Sequence, residues 1–115
     1  MTNELTFDGY QLATSATAIY PADTEIAALS YVTLGLVGEA GEIANKVKKI
    51  LRDGAGEVTP AIRKTLASEV GDVLWYLTRL ADELGYSIEE IAADNLSKLL
   101  DRLNRDVLQG SGDNR

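Results

Sequence analysis

LVGEAGEIANKVKKI, residues 36–50, and its echo LASEVGDVLWYLTRL, residues 66–80, decide the fold. Laid thirty positions apart, the two segments match Leu36 with Leu66, Glu39 with Glu69, Gly41 with Gly71, Glu42 with Asp72, Ile43 with Val73, Val47 with Leu77 and Ile50 with Leu80. Apolar residues return every three or four positions in each, the period of an α-helix with one packed side. Beside each stripe stand two acids at i,i+3, a spacing that puts both on one helix face.

At about 100° per residue, Glu39 lies roughly 50° and Glu42 roughly 110° from the centre of its stripe, and Glu69 and Asp72 repeat those offsets. If the two stripes pack together, all four carboxylates come to the seam. Without cations such a cluster repels itself and each desolvated charge is costly. A divalent ion reverses that balance, so the acids read as one metal site built from two helices. A lone Glu-x-x-Glu is ordinarily a solvated helix face; duplication in register makes the difference here. Gly41 and Gly71, each costing about 1 kcal/mol of helix propensity relative to Ala, fit a place where a backbone or a ligand comes close.

The flanking sequence extends the helical reading. Thr6 caps a first helix carrying Phe7, Tyr10 and Ile19, which stops near Pro21, where the missing N–H opposes continuation. Leu29, Val32, Leu36, Ile43, Val47 and Ile50 trace a second pattern, one bent helix or two, closed by Arg52-Asp53-Gly54. Thr59-Pro60 opens a third helix through Ile62, Leu66, Val70, Val73, Leu77, Leu80 and Leu84, and Gly85 marks its end. Ser87-Ile88-Glu89-Glu90 is a capping box for a fourth, with Ile88, Ala92, Leu96, Leu99, Leu103 and Val107 as its stripe. No strand alternation competes, so the expectation is an all-α bundle of four to five helices. It forms one domain over residues 1–109, and the Gly- and Ser-containing stretch 110–115 reads as a flexible tail.

Composition narrows the chemistry. The chain of 115 residues, 45% hydrophobic and 25% charged, suits one modest core. It has no cysteine and no histidine. Disulfides, thiolate and imidazole ligation and histidine acid–base catalysis are thereby excluded. A bound metal must be held by oxygen, which favours magnesium, manganese or calcium. A net charge of −7 argues against a broad nucleic-acid or anionic-membrane surface, while a small anionic substrate is compatible once ions screen the acids. No segment reads as approaching the roughly 20 apolar residues that span a bilayer, and Met1 to Tyr10 lacks a signal-like pattern, so a cytoplasmic protein is expected.

Helix four adds a second constellation. Asn95, Lys98 and Arg102 fall within about 60° of one another beside its stripe, placed for phosphate oxygens, a sugar or a base edge, or simply solvated. Lys46 and Lys49 follow the first acidic pair by about a turn. They suit a leaving pyrophosphate, although Lys46 is also four residues after Glu42 and fits a plain helix salt bridge.

Residues 35–49 together with 69–77 resemble the MazG-like all-α nucleoside triphosphate pyrophosphohydrolases, a family marked by Glu-x-x-Glu, a spacer and Glu-x-x-Asp. The likeness runs from the Tyr10-Gln11 region to the Asn95–Arg102 helix, with one such domain where longer members have two. It implies a magnesium-dependent helical bundle, with manganese as a possible substitute, forming a homodimer or homotetramer. It also implies cleavage of a nucleoside triphosphate between the α- and β-phosphates. Glu39, Glu42, Glu69 and Asp72 match the family's metal ligands, one of them also serving the attacking water. Tyr76 resembles a position near the nucleotide and Gln11 one near the base. Trp75 is left between stacking a base and packing in a core or subunit interface. A dUTP, dCTP or phosphoribosyl-ATP hydrolase of the same superfamily, or a non-catalytic scaffold joined by metal ions, would share the carboxylates.

Overall fold

The structure, a computed structural model, describes residues 4–106 and 112–113. Its elements are α1 (Phe7–Thr14), a 3₁₀ turn (Ser15–Thr17), α2 (Glu25–Asp53), α3 (Pro60–Glu83) and α4 (Ile88–Asn104), with no strand among the described residues. Each helix begins on a hydroxyl cap: Thr6, Thr24, Thr59 and Ser87 accept from the N–H groups of Gly9, Ala27, Ile62 and Glu90. These bonds satisfy donors that a helix N-terminus leaves unpaired. Pro60 occupies the first turn of α3, where its missing N–H does no harm. Gly85, at φ 81°, supplies the left-handed turn between α3 and α4.

One boundary differs from the sequence reading, and one open alternative is decided. α1 ends at Thr14, and the 3₁₀ turn closes before Ile19, which is 92% exposed rather than part of a helical stripe. Hydroxyl bonds explain the early stop: Thr14 and Ser15 donate to the carbonyls of Gln11 and Leu12, a tightening typical of a helix end. The second pattern is one uninterrupted helix of 29 residues. Val107 and residues 110–111 and 114–115 of the expected tail lie outside the described residues.

α2 and α3 form the long antiparallel pair around which the molecule is built, and α1 and α4 pack on α3 and on each other. The enclosed core is small: Ala28, Val32 and Ala81, with Thr14, Thr78, Arg79 and Arg102 also buried. Arg79 is fully partnered, donating to the Tyr20 hydroxyl, Thr14 Oγ1 and Asp82 Oδ2. It lies 6.0 Å from the Tyr20 ring centre, and Tyr20 in turn donates to Glu83. That network ties the segment after α1 to the C-terminal half of α3.

Most of the stripe residues stay partly open in the single chain. On α4, Leu96, Leu99, Leu100 and Leu103 are all exposed, as are Ile26, Leu34 and Val37 on α2. The accessible surface of 8417 Å² exceeds by about 2,300 Å² what a compact monomer of this mass presents. A radius of gyration of 17.4 Å likewise exceeds the value near 13 Å for a compact domain of this length. α2 is also long and apolar enough, by length and composition, to cross a membrane, which corrects the reading that no segment approaches that mark. Its acids Glu39 and Glu42 interrupt the apolar run, and Glu39 meets Glu69 and Asp72 of α3.

Candidate metal centre

Antiparallel packing of α2 on α3 brings the two acidic motifs together. One carboxylate oxygen each from Glu39, Glu69 and Asp72 lie within 4.8 Å of one another. Glu39 and Glu69 are half-buried and Asp72 is exposed, so the group opens to solvent on one side. Desolvation, followed by the charges of Asp72 and Glu69, raises the Glu39 pKa above the ordinary 4.5. Three hard oxygen donors converging at mutual cost are a donor set that a divalent cation relieves, so the residues present fit such an ion.

Glu42 stands outside this group of three. It is exposed, and of the acids acting on Glu39 it contributes least. Three residues of helix carry it about 60° round and 4.5 Å along from Glu39, enough to move it from the seam to the rim. Lys46 does not form the helix salt bridge to Glu42: its ammonium reaches across to Glu69 Oε1 at 3.6 Å instead. With Lys49 it edges a groove of about 500 Å³ whose floor is Ile50, Ile62 and Leu66.

On the other side of the acids the walls are aromatic. Tyr76 follows Asp72 by one turn on α3, and Gly35 precedes Glu39 by one turn on α2. A Cβ on Gly35 would overlap the Tyr76 ring at Cε1, Cζ and Cδ1. The close approach that the sequence suggested for Gly41 and Gly71 therefore falls on Gly35; at the other two an added methyl meets nothing within 4 Å. Burial first, then the neighbouring Tyr31 phenol and the charges of Glu39 and Asp72, raise the Tyr76 pKa above 10.0. Tyr10 on α1 also senses Asp72, after the larger effect of its own burial.

Trp75 points away from the acids. It donates from Nε1 to Thr17 Oγ1 at 2.8 Å and meets Tyr20 and Tyr76 edge-on, so within the chain it is engaged in packing. Gln11 is likewise engaged within the chain: its amide donates to Asp82 Oδ1 and the Tyr86 carbonyl and accepts from the Ile88 N–H. It joins α1 to the α3–α4 turn and satisfies one N-terminal donor of α4. Asn95 and Lys98 edge a separate groove with Tyr86, Ile91 and Asp94. Lys98 and Arg102 pair with Asp113 at 3.1 and 2.9 Å rather than with any of the four acids.

Tyr31, Gly35 and Tyr20 belong to the site's surroundings and were not singled out from sequence. The signal was available in the register, since Gly35 and Tyr76 flank the acids by one turn in opposite chain directions.

Comparison with known proteins agrees with this geometry. The chain is 56% identical over 111 residues to the Gene 37 protein of Mycobacterium phage L5, covering 94% of this chain and 97% of that one. No solved structure matches. Residues 28–105 match the family model of the MazG nucleotide pyrophosphohydrolase domain, a span that includes most of α2, all of α3 and α4 and every acid of the cluster. With the motif pair on facing helices and this match across most of its length, the chain belongs to the MazG nucleotide pyrophosphohydrolase family.

Proposed function

We propose that this chain is a magnesium-dependent nucleoside triphosphate pyrophosphohydrolase, with manganese able to substitute, that cleaves a ribo- or deoxyribonucleoside triphosphate to its monophosphate and pyrophosphate in nucleotide pool control or sanitation. The convergence of Glu39, Glu69 and Asp72 within 4.8 Å carries the reading. These three would hold the ion, which when bound supplies Lewis acidity toward phosphate oxygens and water. Attack of water on one phosphorus of the α–β bridge breaks the anhydride and releases pyrophosphate, a reaction in which positioning and charge do most of the work. Glu42, exposed beside the trio, would take the proton of the attacking water. Lys46 and Lys49 meet the phosphate oxygens from the C-terminal side of α2. Asn95, Lys98 and Arg102 add contacts from α4.

A homo-oligomer is part of this proposal. The surface excess of about 2,300 Å² per chain matches the large, apolar interfaces of permanent assemblies, and the uncovered leucines of α4 lie where such an interface would form.

The test is pyrophosphate release from a panel of ribo-, deoxyribo- and modified triphosphates, with magnesium, with manganese and with chelator, for the native protein and Glu69→Gln. Metal-dependent monophosphate and pyrophosphate, reduced by at least about 100-fold in a folded Glu69→Gln protein, is the expected result. Undiminished turnover in that variant would overturn the site assignment. No turnover of any nucleotide by folded, metal-bound protein would leave the metal-joined scaffold.

A further inference from the structure

The acids sit between two unlike walls. Toward the C-terminal end of α2 stand Lys46 and Lys49; one turn in the opposite direction stand Tyr76 and Tyr31. Cations recognise the charged end of a triphosphate, whereas aromatic rings with phenolic hydroxyls suit the flat, neutral nucleoside. Under the proposed function, this polarity places the nucleoside on the Tyr76 side.

Tyr76 is held on several sides. Its ring presses on the α2 backbone at Gly35, where any side chain would overlap it. Trp75 meets it edge-on at 5.0 Å and 85°, and Trp75 is itself fastened to Thr17. Nearby, Tyr31 is stacked on Tyr20 at 5.3 Å. Displacement toward α2 or Trp75 is blocked. What remains is movement toward the acids, the side on which Glu39 and Asp72 lie.

We infer that Gly35 is a specificity-determining, positioning residue: by lacking a side chain it lets Tyr76 lie back against α2 and so fixes the space available to the nucleoside beside the carboxylates. The inference rests on the nucleotide reading above, although the packing it describes is independent of that reading. A methyl at position 35 pushes the ring into this space. Because Ala is a better helix former than Gly, a loss of substrate affinity in the variant has to come from the displaced ring rather than from a weakened helix.

The experiment compares Gly35→Ala with the native chain, each also in a Tyr76→Ala background. Trp75 is the single tryptophan and touches the Tyr76 ring, so its emission reports ring displacement without any substrate. The expected result is a changed Trp75 emission at unchanged helix content and a KM for nucleoside triphosphates raised about tenfold. kcat changes less than about threefold, and inhibition by inorganic tripolyphosphate, which has no nucleoside, does not change. In the Tyr76→Ala background the same Gly35→Ala change has little effect on KM, as expected for residues coupled through contact.

Unchanged emission together with an unchanged KM would overturn the inference and leave the proposed activity standing. Equal weakening of tripolyphosphate and nucleotides, or an equal KM penalty with and without the Tyr76 ring, would also overturn it. A changed emission in a protein that hydrolyses no nucleotide would overturn the functional reading alone. If Gly35→Ala fails to fold, the same substitution in the Tyr76→Ala background decides: the overlap is with the ring, so the double variant is expected to fold, and a double variant that also fails to fold overturns the inference.

Discussion

Lys46 extends from α2 across the helix pair to bring its ammonium within 3.6 Å of Glu69, one of the three converging carboxylates. The site therefore contains its own cation, on the side away from Tyr76. Lys46 partly offsets the carboxylate charge before any metal or substrate arrives. Both side chains are partly exposed, so solvent screening keeps the interaction modest.

Replacing Lys46 by Met should act in opposite directions on the two ligands. Removing the internal cation leaves the acids more negative, so magnesium should bind a few-fold tighter. Loss of a charge-assisted donor should raise the nucleotide KM about tenfold. Magnesium titration by calorimetry and steady-state kinetics check the two halves separately; weakened magnesium binding would count against this account.

The acid cluster also predicts an inverted pH dependence of stability in the absence of metal. Burial and the charges of Asp72 and Glu69 raise the Glu39 pKa above its ordinary 4.5, so in the window just above that value the folded chain binds more protons than the unfolded one. Stability then falls as pH rises through the raised pKa, opposite to the behaviour of a salt-bridged carboxylate. Thermal melts in chelator should show Glu39→Gln gaining on the native protein as pH rises through this window. With saturating magnesium the difference should vanish or reverse, since the ion stabilises the charged form.

Gln11 should prove structural. Its three hydrogen bonds join α1, the end of α3 and the start of α4. Gln11→Ala should lower stability by about 1–3 kcal/mol, measured by denaturant unfolding, while leaving the ranking of nucleotides by KM unchanged. A reordered ranking without loss of stability would restore it as a base contact.

The uncovered leucines of α4 should be buried by another copy. Light scattering at micromolar concentration should give a dimer or tetramer, and Leu99→Glu with Leu103→Glu should shift it toward monomer with the helices retained. A native protein that scatters as a monomer would leave the exposed leucines unexplained.

Much of this molecule is local and was therefore legible along the chain. Helix period, the hydroxyl caps at Thr6, Thr59 and Ser87, Pro60 at a helix start and Gly85 at a turn all depend on neighbours a few residues apart. So does the pairing of acids at i,i+3, and the register shared by residues 36–50 and 66–80 was enough to foresee that the two motifs meet. The tertiary structure decided what depends on the distance and rotation between helices. That is why three carboxylates converge while Glu42 stays at the rim, and why Lys46 pairs with Glu69 rather than with the nearer-in-sequence Glu42. It is also why Gln11 and Trp75 are engaged by partners within the chain and why Gly35, not Gly41 or Gly71, is the glycine pressed by a ring. A periodic pattern gives each side chain an angle about its own helix, but a contact also requires the offset of the partner helix, and that is set by the packing of the whole pair.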